Sequence, residues 1–422
     1  MTWVGRLFGR NASMVHDDEF RLLLAANAIG ALGTALVSPL LNSLTGPFGV
    51  SGAEIGLLVT AVGAPSIFLI PISGVIADRI GRKPVLITGL ILFGSAGAAI
   101  ALTTDFTVVL ALRALQGVGF AGITPIIITS FGDLYADDTE ATAQGIRFGV
   151  TGLSQAVFPA IAGIVVVAAW QYPFFIYALA LPIAALVWLF FDEPADDGRD
   201  PDNEAAAETG YGRGLARLAA HPHAAAYLVA RAIVAMPFFA FLTYNSLVIG
   251  RIQGGSASQA GLLVAAFSIV YAVTSTQAGR ITAWFDHDAI PLVGANVLLG
   301  GGLATFALTS AVPLAVPSVV AMGVGVGITF SLYRSIITGV APPRFRGGLV
   351  SLSESGARAI ATLTPVTIGG LLAVLEPSLG RANALRWILV GAGVVAVFVG
   401  VASVLLAHAT SAPEGATAYS AD

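Results

Sequence analysis

Glu354 and Arg358 stand four residues apart inside a long apolar stretch. A carboxylate in such surroundings can take up and release a proton or hold a cationic group. Residues at i and i+4 share one helix face, so the pair could equally neutralise itself. Both uses stay open: an internal ion pair that eases membrane insertion, or a cavity-facing pair in coupling or substrate binding. Arg113 with Gln116 is a second polar pair among apolar residues. An arginine near mid-helix in a membrane costs about 2.5–3.5 kcal/mol on insertion scales, so Arg113 must face a cavity or a partner rather than lipid. A third cluster, Asp78-Arg79 with Arg82-Lys83, sets an anion beside three cations around Gly81. Other kinds of chemistry lack their groups. The chain has no cysteine, and His16, His221, His223, His287 and His408 fall in polar segments or at the ends of apolar runs, so no metal or histidine acid–base site is expected at membrane depth. No Gly-x-x-x-x-Gly-Lys-Ser/Thr loop is present, which removes a nucleotide-driven pump. Neither an enzyme nor a cofactor is expected.

The elements that position these residues follow from composition. Of 422 residues, 56% are hydrophobic and 10% charged, with mean hydropathy +0.86. Such a chain cannot cover its apolar surface with its own polar groups, so the bilayer is its solvent and its backbone must be satisfied within helices. The intervals Arg21 to Glu54, Glu54 to Asp78 and Lys83 to Asp105 hold no charge, and each reaches the ~20 residues that cross a bilayer. The longer apolar runs from Phe148 to Phe191 and from Ala289 to Tyr333 are broken at 170–173 and at 313–317, and read as helical hairpins. The pattern predicts an all-α polytopic membrane protein with helices near 20–44, 54–77, 84–103, 107–131, 143–168, 173–191, 223–248, 258–281, 289–310, 315–338, 348–375 and 384–408.

The polar stretch at 192–222 splits these twelve spans six and six. It reads as a linker between bundles at 1–191 and 223–422. The net charge of −4 comes largely from this linker, which is a solvated segment and no nucleic-acid surface. Gly117-Val118-Gly119 recurs as Gly323-Val324-Gly325, and Pro159 with Gly163 recurs as Pro365 with Gly369, both at an offset of 206. One register shared by separate helices is the trace of two equivalent halves. Twelve spans put both termini on one side, and the bias of arginine and lysine makes that side cytoplasmic. The expected setting is the plasma membrane, with the lipid bilayer as partner and a monomer as the working unit.

The string Gly74-Val75-Ile76-Ala77-Asp78-Arg79-Ile80-Gly81-Arg82-Lys83-Pro84 resembles the signature loop of the major facilitator superfamily. The resemblance implies two six-helix bundles rocking around a central site. It also implies a latch in which Asp78 faces the start of the eleventh helix, near 347–351, where the helix dipole favours an anion. Asp133 is a candidate partner for Arg79 or Arg82. Leu112-Arg113-Ala114-Leu115-Gln116-Gly117 is similar to the family's Arg-x-x-Gln-Gly pattern, whose arginine tunes proton coupling in relatives. The acid usual on the first helix is absent, Asn27 and Asn42 being that helix's polar residues. Gly145, Gly149, Gly152, Pro159 and Gly163 resemble the exporters' Gly-Pro motif, with Phe158 where that motif has glycine.

The amides Asn27, Gln155, Asn245 and Gln277 are candidates for the cavity wall, as are Tyr177, Tyr244, Tyr271, Asn296 and Tyr333. Gly117, Pro159, Gly163, Pro365 and Gly369 are candidates for helix packing and bending. The function implied is proton-coupled efflux of a small organic molecule. A metabolite or sugar importer, a uniporter, and a sensor or scaffold of the same fold are the alternatives.

Overall fold

A computed structural model describes residues 14, 16–135, 137–192, 211–282, 284–285, 287–340 and 345–410. Among them the chain is helical, with no strand. Span α1 is broken into Asp18–Gly30, Leu32–Ala35 and Leu41–Phe48, with a 3-10 turn at Ser38–Leu40. α2 is Leu57–Ile80, α3 Arg82–Ala99, α4 Phe106–Ala121 continued by Thr124–Leu134, and α5 Asp137–Val165. α6 runs from Tyr172–Phe175 through a 3-10 turn to Ala180–Phe190. In the second half α7 is Pro222–Ile233 continued by Ala235–Arg251, α8 Ala257–Thr282, α9 Ala289–Leu308, α10 Val312–Val340, α11 Arg346–Leu379 and α12 Arg381–Ala409.

Nine helices among the described residues are long and apolar enough to cross a membrane, and Leu57–Ile70 and Gly149–Val165 are shorter apolar helices. The breaks have local causes. Pro39 lies in the 3-10 turn of α1 and Pro125 starts the second part of α4; proline brings no N–H to an i→i−4 bond. The expected linker is not wholly irregular, because Tyr211–Ala220 forms a helix. It buries Leu218, and a Cβ on Gly214 would lie 2.6 Å from the Phe345 ring.

Ends are set by side chains and by glycine. The Asp105 carboxylate accepts the Thr107 and Val108 N–H groups at 2.8 and 3.3 Å and caps α4. Gly81, at φ 95°, makes the one-residue turn from α2 to α3, a conformation that a side chain disfavours.

The two halves pack alike. α2 lies on α4 and α8 on α10 within the halves, while α5 lies on α8 and α2 on α11 between them. The repeated glycines sit at matching contacts. A Cβ on Gly117 would lie 2.3 Å from the Val62 carbonyl oxygen on α2, and one on Gly323 would lie 3.0 Å from the Phe267 carbonyl on α8. Gly163 and Gly369 hold the contacts between halves, where a Cβ would come within 2.6 Å of the Ala257 oxygen and 2.7 Å of the Ala53 oxygen respectively. The offset of 206 therefore marks two pairs of close helix approaches related by the internal twofold.

Candidate functional site

Between the halves lies a cavity of about 300 Å³. α1 contributes Asn27, Gly30 and Gly33, α2 contributes Val62 and Ser66, and α5 contributes Arg147, Thr151 and Gln155. From the second half come Arg231, Phe238 and Phe239 on α7, Tyr271 on α8, Phe330 on α10, and Glu354, Arg358 and Thr362 on α11. Aromatic faces and a few charges share one chamber, as in pockets for small organic ligands.

On the side of the α1–α2 loop the halves are stitched together. Ser38 donates to the Leu242 carbonyl, and the Asn245 amide donates to Ser38 Oγ at 2.7 Å. Asn42 N–H donates to Ser246 Oγ at 3.1 Å, and Arg251 Nε donates to Asn42 Oδ1 at 3.1 Å. Ser258 donates to the Gly163 carbonyl at 3.0 Å. Toward the α2–α3 loop the chamber meets solvent, because Glu354, which lines it, keeps 48% of its side chain exposed.

Glu354 and Arg358 both reach the chamber, but not as a pair along one helix. The carboxylate of Glu354 accepts Arg231 Nη2, at 3.1 and 3.4 Å to its two oxygens. The Arg231 guanidinium lies 4.6 Å from the Phe330 ring centre, and that of Arg358 lies 5.7 Å from the Phe120 ring centre.

Arg113 is fully buried outside the lining. It donates to Leu58 O at 2.9 Å, Gly33 O at 2.8 Å, Gln116 Oε1 at 2.7 Å and the Tyr177 hydroxyl at 3.2 Å. These partners lie on α1, α2, α4 and α6, so its fork of donors ties four helices together.

Among the amides, Asn27 lines the chamber and donates to the Arg147 carbonyl and to Thr151 Oγ1 at 3.2 and 2.9 Å. Gln155 lines it and accepts at its backbone carbonyl from Ser268 Oγ, at 3.1 Å. Asn245 belongs to the seam. Gln277 is exposed on α8, with Nε2 3.4 Å from Thr276 Oγ1. Asn296 donates to the Tyr333 hydroxyl at 2.8 Å, away from the lining, and Tyr244 donates to the Pro365 carbonyl at 2.9 Å.

In the loop after α2, Arg82 Nε lies 2.5 Å from the Asp133 carboxylate. Arg79 is exposed and Lys83 is half-buried. Gly74 sits within α2, where a Cβ would meet nothing within 4 Å. The side chain of Asp78 lies outside the described residues, and with it the contact expected at 347–351. Sequence reasoning passed over Arg147 and Arg231. For Arg231 the available signal was the one applied to Arg113, a cation well inside an apolar span, whereas Arg147 lies just before the apolar run Gly149–Val165 and gave no such signal.

Family likeness agrees with this layout. The sequence profile of the Major Facilitator Superfamily matches residues 23–244 and again residues 227–420. The chain belongs to that superfamily. Multidrug resistance protein 1 of Bacillus subtilis is 26% identical over 364 residues, covering 83% of this chain and 88% of that protein. The bacillibactin exporter of Bacillus subtilis is 33% identical over 120 residues, covering 27% of this chain and 30% of that protein. The match thus spans under a third of that exporter.

Among solved structures, a bacterial homologue of the human lysosomal transporter Spinster, inward-facing and unoccupied, superposes with TM-score 0.77 at 18% identity, covering 92% of this chain and 95% of that one. A D-xylose–proton symporter gives TM-score 0.72 at 14% identity over 90% and 95% of the two chains. At such identities the likeness is one of fold, and it fixes this chain as a polytopic all-α membrane protein of two six-helix bundles.

Proposed function

We propose that this chain is a secondary transporter that exports a small organic solute by alternating access, coupled to protons through Glu354. The carrying observation is the chamber between the halves, reached by solvent at Glu354 and closed on the other side by hydrogen bonds and glycine contacts that can part and re-form. Glu354 is the carboxylate of the described lining and is held by Arg231. Protonation weakens its hold on Arg231 and loss of the proton restores it, so the pair responds to the side from which water enters.

In this reading the bundles at 1–191 and 223–422 rock about the chamber while the 192–222 segment spans between them. The Arg82–Asp133 contact and the Asp78 region act as the latch on the cytoplasmic side. Both termini lie in the cytoplasm, the membrane is the plasma membrane, and one chain is the working unit. The bacillibactin exporter and multidrug resistance protein 1 among the relatives support the outward direction.

Flux in proteoliposomes with an imposed pH gradient tests the reading. Solute movement that follows the gradient in the native protein and ignores it in Glu354→Gln is the expected result. A native chain that moves no member of a broad panel of organic solutes under any gradient rules transport out.

A further inference from the structure

Among the described residues the charges of the second-half wall do not balance. It holds the guanidinium groups of Arg231 and Arg358 against the one carboxylate of Glu354, a formal excess of one positive charge. Behind the wall Arg113 adds another. It donates at 2.8 Å to the carbonyl of Gly33, itself a lining residue, and its four partners are two carbonyls, an amide and a phenol rather than a carboxylate. Low-dielectric walls concentrate the field of such a cluster in the space it encloses.

Arg231 gives the sharper indication. Its side chain is 92% buried, since 8% of it is exposed. Nη2 is spent on Glu354, while Nη1 is buried with no hydrogen-bond acceptor among the described residues. A buried guanidinium donor without an acceptor is unfavourable, and more so than a neutral one. The hydrogen bonds of Glu354 go to Arg231, and the Arg358 guanidinium rests on the Phe120 ring.

We propose that the substrate is an amphipathic organic anion. Its carboxylate, sulfonate or phosphate is received by Arg231 Nη1 and Arg358, and its aromatic or apolar body packs among Phe120, Phe238, Phe239 and Phe330. This assignment rests on the transporter reading for its word substrate, and on the chamber alone for its chemistry. An organic cation would meet several like charges, and the carboxylate suited to it is already held by Arg231. An anion supplies the acceptor that Nη1 lacks without displacing Glu354 from Nη2. It also completes a charge-assisted contact, the strong kind of hydrogen bond. A chamber of about 300 Å³ suits a body of one or two rings.

The test uses one ring carrying three charges. Indole-3-acetate, indole-3-acetamide and tryptamine share a shape and differ in being anion, neutral amide and cation. Binding of each is measured by equilibrium dialysis to the full chain in nanodiscs at neutral pH. The acetate is expected to bind at least about tenfold tighter than the amide, with tryptamine weakest. Arg358→Gln is expected to weaken the acetate about tenfold and to leave the amide within about twofold.

The native series decides the matter even if that variant fails to fold. Equal affinities, a preference for tryptamine, or no acetate binding up to millimolar concentration would overturn the assignment. Counterflow of labelled indole-3-acetate in proteoliposomes separates the two claims. Saturable binding without flux would remove transport and leave the anion site standing.

Discussion

Arg231 on α7 and Glu354 on α11 meet at 3.1 Å across two helices of the second half, with Arg231 8% and Glu354 48% exposed at the side chain. One partner is locked in the wall and the other faces water. A proton arriving from solution therefore changes the charge opposite a guanidinium that cannot move far. In Glu354→Gln the amide keeps an oxygen for Arg231 but loses the titration. The expected outcome is uptake or release that no longer responds to an imposed pH gradient, with gradient-free counterflow retained, as read by solute flux in proteoliposomes. A gradient response equal to that of the native protein would remove Glu354 from coupling.

The seam between α5 and α8 gives a conformational prediction. A Cβ on Gly163 would fall 2.6 Å from the Ala257 carbonyl, and a Cβ on Gly261 would fall 2.5 Å from the Pro159 carbonyl. Backbone on both sides leaves no flexible side chain to yield. Gly163→Val should force the halves apart on the α1–α2 loop side and favour the state open there. The chain has no cysteine, so a single cysteine at Phe239 in the chamber can be probed with an impermeant maleimide. Its labelling from the α1–α2 loop side should rise severalfold over the same cysteine with Gly163 intact. Unchanged labelling would mean that the seam tolerates the methyl groups.

How far this was legible in the sequence depends on the range of the interaction. Span boundaries came out within about four residues, because the apolar runs and the charges bounding them are local, except that α5 starts at Asp137 rather than 143, its polar first turns lying outside the apolar run. The Gly81 turn was legible for the same reason, since a charged glycine loop between two apolar runs leaves the chain few courses. The offset of 206 carried tertiary information because Gly117 and Gly323, like Gly163 and Gly369, are glycines for the sake of a neighbouring backbone. The partner of Glu354 was not legible. Spacing along α11 points to Arg358, whereas the actual partner sits 123 residues away on α7, and only helix packing decides between them. Gln277 faces outward for a reason of the same kind, since six residues after Tyr271, which lines the chamber, the helix has turned by about 240°.

A pH effect is expected outside the membrane spans. In the turn that precedes α2, Ser51 N–H donates to the Glu54 carboxylate at 2.8 Å, and Glu54 N–H donates to Ser51 Oγ at 3.2 Å. This is a reciprocal cap. The backbone hydrogen bond from Ser51, then that from its side chain, holds the Glu54 carboxyl below its ordinary 4.5. A carboxyl whose value is depressed by folding stabilises the fold above the unfolded value and loses that contribution as pH falls through the lowered one. Glu54→Gln should therefore lower Tm slightly at pH 7, and the gap to the native protein should narrow as pH drops below about 4. A gap independent of pH would show that the carboxylate is not part of the effect. Exposure keeps the whole effect within about 1 kcal/mol.

Arg113 invites a choice between two roles that a single substitution can separate. Its donors reach Gly33, Leu58, Gln116 and Tyr177, on four helices, and none of its surface is exposed. A lysine keeps the charge, but its compact ammonium cannot reproduce a planar fork that meets four acceptors. If Arg113 acts by holding the first bundle together, Arg113→Lys should destabilise the purified protein by about 3 kcal/mol. Affinity for a chamber ligand should then change little, because the residue lies outside the lining. If it acts in the transport cycle, Arg113→Lys should keep its Tm and lose flux. Thermal unfolding and counterflow on the same preparation distinguish the two, and the satisfied geometry of the guanidinium favours the first.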